Sequence, residues 1–301
     1  MVTRFGRGLE IYAMSPTRDT LVAALNRVQD LPTLPSVVTQ MEEILRGERT
    51  TADDLARIIS ADPTLTTNVL RVVNSAYYAA RSGRITSVHH AVARLGFREV
   101  GRICTVLTVI ETFRGFGPHL DHKVFWKHSL MTGISTRVIY RHSRRSCPFE
   151  EDEAYVAGLL HDVGILILDQ YFPALYQRTR KQAAEKSVPY AEEERQFLGM
   201  DHGELGATVL NRWNISPAVV QAVAWHHQPS RCDPQSRDLA STVHLADSIS
   251  LKLEIGDFAD GGLYSVYESV RRDLDLAPGD LPAIVANVHK EGSQCESLLH
   301  F

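Results

Sequence analysis

DEAYVAGLLHDVGILIL, residues 152–168, is the stretch on which the reading of this chain turns. Its apolar residues recur at helical spacing on both sides of one adjacent pair, His161-Asp162. Ile165–Leu168 alone could pass for a buried strand, but it lies inside a longer helical pattern, and the spacing predicts one helix over about 150–170. Two readings of the pair follow. A buried imidazole hydrogen-bonded to a carboxylate can simply lock helices together. Alternatively, the pair is part of a ligand set, because bundle interiors are where facing helices build metal sites.

Outward from this stretch the pattern stays helical. The second half predicts helices near 121–143, 173–187, 202–213, 216–227 and 237–254, then Tyr264–Leu274 and a Pro282-led helix to about Lys290. The first half predicts Thr17–Gln29, Ser36–Leu45, a helix capped by Thr50 or Thr51, one opened by Asp62-Pro63, Ser87–Leu95, and another to about Phe113. That last one carries Val100, Ile103, Val106, Leu107 and Ile110 and belongs to the core. Strand-type alternation is nearly absent. The expected fold class is all-α, two packed helical bundles, with the Gly/Pro-containing turn Arg114–Pro118 as the internal boundary. The expected division is a flexible leader (1–16), an N-terminal helical subdomain (17–117), a second helical subdomain (118–255) and a C-terminal helical extension (256–301).

Composition narrows the classes. Of 301 residues 44% are hydrophobic and 23% charged, ordinary for a globular protein. The net charge of −4 gives no global drive toward nucleic acid or anionic membrane. No stretch reaches the roughly 20 apolar residues of a spanning helix, and the N-terminus lacks a secretory core. Cys104, Cys147, Cys232 and Cys295 form no CxxC pair and read as reduced structural thiols of a cytoplasmic protein.

The second half also spaces its histidines tellingly: His128 after Phe125-Trp126, His161-Asp162, His202 after Asp201, His226-His227 ahead of Pro229, and Asp247 one turn after His244. Imidazole plus carboxylate suits Zn, Fe, Mn or Co rather than Ca. A carboxylate that bridges two metals would let them clamp the oxygens of a phosphoester and acidify a water.

The order His … His-Asp … His … His-His … Asp resembles the HD metal-dependent phosphohydrolase superfamily and, more specifically, the HDOD family of bacterial signalling output domains. The HDOD resemblance covers about residues 20–250. It rests on LPTLPSVV (31–38), ADPTLTTNVLRVVNSAYY (61–78), ITSVHHAVARLGFREV (85–100), WKHS (126–129), residues 152–168, LGMDHGELGATVLNRWNIS (198–216) and AVAWHH (222–227). It implies an HD-like second subdomain. It also implies metal ligands at His128, His161, Asp162, His202, His226, His227 and Asp247, with Asp162 bridging. The implied cofactor is a divalent transition metal (Fe, Mn or Zn), mono- or dinuclear.

Cyclic-dinucleotide phosphodiesterases of the HD-GYP type use a similar series, and the sequence departs from them three times. Ile165 stands where they carry a phosphate-binding lysine, the GYP motif is missing, and Val124 replaces a glutamate one turn before the first histidine. The functional expectation is therefore a regulatory protein acting through a signalling partner or small-molecule ligand. The alternative is a phosphohydrolase on a nucleotide or other phosphoester, with Asp162 as its catalytic residue.

Blander readings stand beside these. His226-His227 at a helix end could serve only the helix dipole. His89-His90 reads as a solvated pair or one lying behind a ligand, His119 and His122 as exposed residues flanking a loop, Tyr77-Tyr78 as packing, and the Arg141, Arg144, Arg145 cluster as a solvated face. The helix pair across Asp53–Val73 superficially resembles a helix-turn-helix, but it shows no basic recognition face.

Overall fold

A computed structural model describes residues 17–28, 31, 51–75, 84–213, 215–255 and 262–292. Among these the chain is helical and contains no strand, so the all-α expectation holds. The leader 1–16, the predicted helix Ser36–Leu45, Tyr77-Tyr78 and Cys295 lie outside the described residues.

The first half supplies α1 (Arg18–Asn26), α2 (Ala52–Ser60), α3 (Pro63–Val73), α4 (Val88–Leu95) and α5 (Phe97–Thr112). Their starts follow the local chemistry. The Thr51 hydroxyl accepts from the Asp54 N–H, Asp62 accepts from Thr64 and Leu65 ahead of Pro63, and Ser87 accepts from His90. Helices α2 to α5 pack on one another through Leu55, Ile59, Val69, Val73, Val88, Val92 and Val100. Helix α1 lies against the second half, where Arg18 pairs with Glu204 at 3.0 Å and Arg212 reaches the Leu25 carbonyl at 3.5 Å.

The second half supplies α6 (His122–His142), α7 (Glu151–Leu160), α8 (Val163–Tyr171), α9 (Pro173–Lys186), α10 (Tyr190–Leu198), α11 (His202–Arg212), α12 (Pro217–Trp225) and α13 (Arg237–Ile255). Helices α14 (Gly262–Val270) and α15 (Leu281–Gly292) follow. Helix α6 is buried along most of its length and packs on α7, α13 and α15. Helix α5 joins the halves: Arg102 Nε donates to Asp152 Oδ1 at 2.8 Å, and Phe113 meets the rings of Trp126 and Trp213 at 6.2 and 5.6 Å.

Two differences from the sequence reading matter for the site. The helix predicted over 150–170 is broken into α7 and α8 by a turn at His161-Asp162. Its continuation packs so tightly on α11 that a Cβ on Gly164 would overlap the His202 carbonyl oxygen and lie 2.8 Å from the Gly206 nitrogen. Helix α10 was not anticipated. It runs from Pro189 to a left-handed Gly199 (φ 75°), an ordinary pair of start and stop signals.

Candidate metal centre

All seven predicted residues converge, each delivered by an element end or a buried helix face. His128 comes from the first third of α6, His161-Asp162 from the break between α7 and α8, and His202 from the first residue of α11. His226-His227 follow α12, and Asp247 comes from α13. Three overlapping groups place one ligand atom per residue within 4.8 Å of one another: His128, His161 and Asp247; His161, Asp162 and His226; His202, His226 and His227.

Asp162 links them. Its Oδ2 lies 3.3 Å from His161 Nε2 and 3.7 Å from His128 Nε2. Its Oδ1 lies 3.1 Å from His202 Nε2 and 3.9 Å from His226 Nε2. Asp247 Oδ1 faces the first set, 3.2 Å from His128 Nε2 and 3.8 Å from His161 Nε2.

The histidine tautomers are set from outside the cluster. His161 and His226 are the C-caps of α7 and α12, and each donates its Nδ1 proton back to its own helix, to Gly158 O at 2.8 Å and to Val223 O at 2.7 Å. A carbonyl can only accept, so each ring spends its Nδ1 proton on its own helix and turns its Nε2 toward the cluster. The helix-end reading of His226 and the ligand reading thus describe opposite edges of one ring.

His202 is set by a carboxylate. Glu194 Oε2 accepts from His202 Nδ1 at 2.6 Å and from its backbone N–H at 3.0 Å, while Tyr190 stacks on the ring at 5.9 Å. Glu194 was missed in the sequence because Glu192-Glu193-Glu194-Arg195 reads as a solvated face. The helix signals around it were legible; its inward direction, with Glu193 and Glu194 both buried, was not.

Charge follows geometry. Burial alone would raise the pKa of Asp162, yet His161 and His202 hold it well below the usual carboxylate value. Burial would lower His202, but Glu194 and Asp162 raise it well above ordinary imidazole. Burial, with His161 and His202 nearby, lowers His226 to about 4, and His227 is lowered likewise by burial beside His226.

The donors fit a divalent metal on two counts. His226 Nε2 is buried with no hydrogen-bond partner, a standing cost that a coordinated cation removes. His202 Nε2 and His227 Nε2, hydrogen-bonded at 2.8 Å, form with His226 a group of three ring nitrogens close enough to share one ion once their protons are released. Neutral imidazoles with carboxylates are donors for Zn, Fe, Mn or Co.

A cleft of about 830 Å³ opens onto His128 and Asp162. Two of the sequence departures line it: Ile165 and Val124, the latter 58% exposed. His119 is exposed in a turn, as its sequence position suggests, and is held at this cleft by the buried Asp169, whose carboxylate accepts from its Nδ1 at 2.7 Å and its backbone N–H at 2.8 Å. His89 pairs with Asp53 at 3.2 Å on the surface of the first half, away from the cluster. The arginines are less free than a solvated face: Arg141 bonds Glu291 and Glu151, Arg144 bonds Asp280, and Arg145 bonds Asp238. Cys104, Cys147 and Cys232 are free thiols. Among the described residues no helix is long and apolar enough to cross a membrane.

Comparison with known proteins completes the picture. The HDOD domain family profile matches residues 31–229. An uncharacterized protein of Treponema pallidum (strain Nichols) is 24% identical over 260 residues, covering 86% of this chain and 48% of that protein. The chain therefore spans about half the length of this curated relative.

Three solved structures share the fold. A Geobacter sulfurreducens HDOD domain protein with unknown function has a TM-score of 0.76 at 21% identity, covering 93% of this chain and 97% of its own. The Shewanella amazonensis SB2B protein named "Putative phosphohydrolase" has 0.74 at 23%, covering 92% and 98%. The Marinobacter aquaeolei VT8 protein named "Putative signal transduction protein" has 0.75 at 22%, covering 94% and 64%. At these identities the likeness is one of fold.

Proposed function

The chain belongs to the HDOD domain family, and from that premise we propose that it is a bacterial, cytoplasmic signal-transduction protein with a metal-holding HD pocket. It would act by binding a small-molecule ligand or a protein partner. The observation that carries the metal reading is the division of Asp162 between two imidazole sets, Oδ2 toward His161 and His128, Oδ1 toward His202 and His226. One ion would be held by His128, His161, Asp162 and Asp247, a second by Asp162, His202, His226 and His227. When bound, divalent metal supplies Lewis acidity to a phosphoryl oxygen and acidifies water. The protein's own part is to aim the imidazoles: Gly158 and Val223 take the Nδ1 protons of His161 and His226, and Glu194 takes that of His202.

Titrating chelator-treated protein with Mn²⁺ or Zn²⁺ tests this reading. Binding of the ion raises the unfolding midpoint, because the assembled site binds it more tightly than the unfolded chain does. The gain disappears in Asp162→Asn. No gain with either ion in well-folded wild-type protein would defeat the proposal.

A second reading, metal-dependent phosphoester hydrolysis, is favoured by one observation: the cleft reaches Asp162 and His128 directly. Against it stands Ile165 at the phosphate-lysine position. Metal-dependent turnover of a phosphoester panel, abolished by Asp162→Ala, would establish hydrolysis; inertness of metal-loaded protein to the whole panel would leave the regulatory role.

A further inference from the structure

The cleft that opens on the metal centre has two unlike linings. Val124, Ile165, Leu120 and Leu251 make an apolar one, and Val124 and Leu251, at 58% and 44%, are the exposed large hydrophobic residues found among the described residues. Helix α9 contributes Gln177, Arg180 and Lys181. Their spacing of three and four residues puts these donors on one helical face.

That face is held in place. Arg180 donates to the Tyr176 hydroxyl at 3.2 Å, and its guanidinium lies 5.6 and 5.8 Å from the Tyr176 and Tyr190 rings. It has no carboxylate partner among the described residues. Lys181 has only a loose surface pair with Glu185, 3.8 Å away. Gln177 Nε2 donates to His119 Nε2 at 2.8 Å, because the His119 Nδ1 proton is given to the buried Asp169. A chain of hydrogen bonds therefore runs from a buried carboxylate to the cleft and fixes the Gln177 amide, leaving its second N–H for a ligand. The cleft also contains one acid outside the cluster, Asp121, whose Oδ1 accepts from the Lys123 and Val124 N–H groups at the start of α6.

We propose that Gln177, Arg180 and Lys181 form the anion-gripping wall of this cleft, and that the cleft takes a small phosphate ester whose apolar body lies against Val124, Ile165 and Leu251. The wall stands in for the absent lysine: the basic grip has moved from α8 to α9, while Ile165 has turned apolar. The volume of about 830 Å³ falls within the roughly 300–1,000 Å³ of small-molecule sites. The ligand assignment deepens the reading of the HD pocket as a ligand-binding centre and rests on it; the wall itself contains no proposed metal ligand.

The test is calorimetric titration with adenosine 5′-monophosphate, with adenosine and inorganic phosphate as controls, on metal-loaded and chelator-treated protein whose metal content is measured. The proposal predicts that the monophosphate binds at least about tenfold more tightly than adenosine, the scale of a charge-assisted pair. The exposed-site variant Arg180→Ala/Lys181→Ala removes that difference with metal content unchanged. Leu251→Ser, which removes apolar surface without adding charge, weakens the monophosphate but leaves inorganic phosphate alone. Equal binding of monophosphate and adenosine, no binding of the monophosphate, or binding indifferent to the α9 double variant would overturn it. Absence of metal with α9-dependent phosphate binding intact would instead sink the metal reading and leave the wall standing.

Discussion

Glu194 Oε2 takes two hydrogen bonds from one residue, His202: the ring Nδ1 at 2.6 Å and the backbone N–H at 3.0 Å. The carboxylate both fixes the ring and leads α11 into the site. Replacing it with glutamine keeps the shape but removes the charge that makes His202 a strong donor. Glu194→Gln is expected to weaken metal binding by about 10–100-fold, the usual effect of losing such an outer partner. Competition with a chromophoric chelator measures this, and an affinity unchanged within error would show that Glu194 only packs.

Close approach at Gly164 gives a second prediction. Its α-carbon faces the His202 carbonyl and the Gly206 nitrogen, with no space for a methyl group. Gly164→Ala must push α8 from α11 and is expected to cost about 3 kcal/mol. The shift would also move His202 relative to Asp162, so metal retention should fall with stability. Urea unfolding and metal content on the same variant check both.

The metal-free protein should have a stability maximum in pH. His226 titrates near 4 when folded and near 6.5 as a free imidazole. Between these values the unfolded chain holds a proton that the folded chain lacks, so stability falls as pH drops through that window. His227, also lowered, acts in the same direction. His202 is raised when folded, so its contribution is present below about 6.5 and is lost as pH rises through its folded value. Urea midpoints across this range should show both limbs. Glu194→Gln should flatten the alkaline one.

Arg137 predicts how the C-terminal helix is held. Its guanidinium is buried between Glu291 of α15, at 2.8 Å, and Glu99 of α5, at 3.5 Å. Burial would lower its pKa, but Glu99 and Glu291 raise it, so the charge is kept. Glu291→Ala leaves that charge short of a partner and is expected to cost about 2 kcal/mol, below the full cost of breaking a wholly buried pair because Glu291 is partly exposed. Hydrogen exchange should quicken over α15 first.

Much of this was legible in the sequence, for reasons that differ by residue. Helix starts at Asp62-Pro63 and Ser87 are local chemistry and were read locally. The convergence of His128, His161, Asp162, His202, His226, His227 and Asp247 was legible through their order, which is the order of the HD series, and not through any spacing that predicts contact. The break at His161-Asp162 was hidden because Ala154–Leu160 and Val163–Leu168 are apolar on both sides, and the close fit of Gly164 against α11 just beyond it is a tertiary fact that this pattern does not carry. Glu194 and Arg180 were hidden for the same kind of reason. One looks like a surface acid and one like a surface base, and only the packing of α9 and α10 turns them toward the site.

Metal content is the measurement to make first. Untagged protein purified without chelator, analysed by mass spectrometry beside Asp162→Ala, should carry about one to two equivalents of Fe, Mn or Zn, since the donors suit those ions and Asp162 faces both sets. The variant should lose them while staying folded. Folded wild-type protein that carries no metal, and takes up none when offered these ions, would contradict the proposed centre and leave the seven residues as a structural hydrogen-bonded cluster.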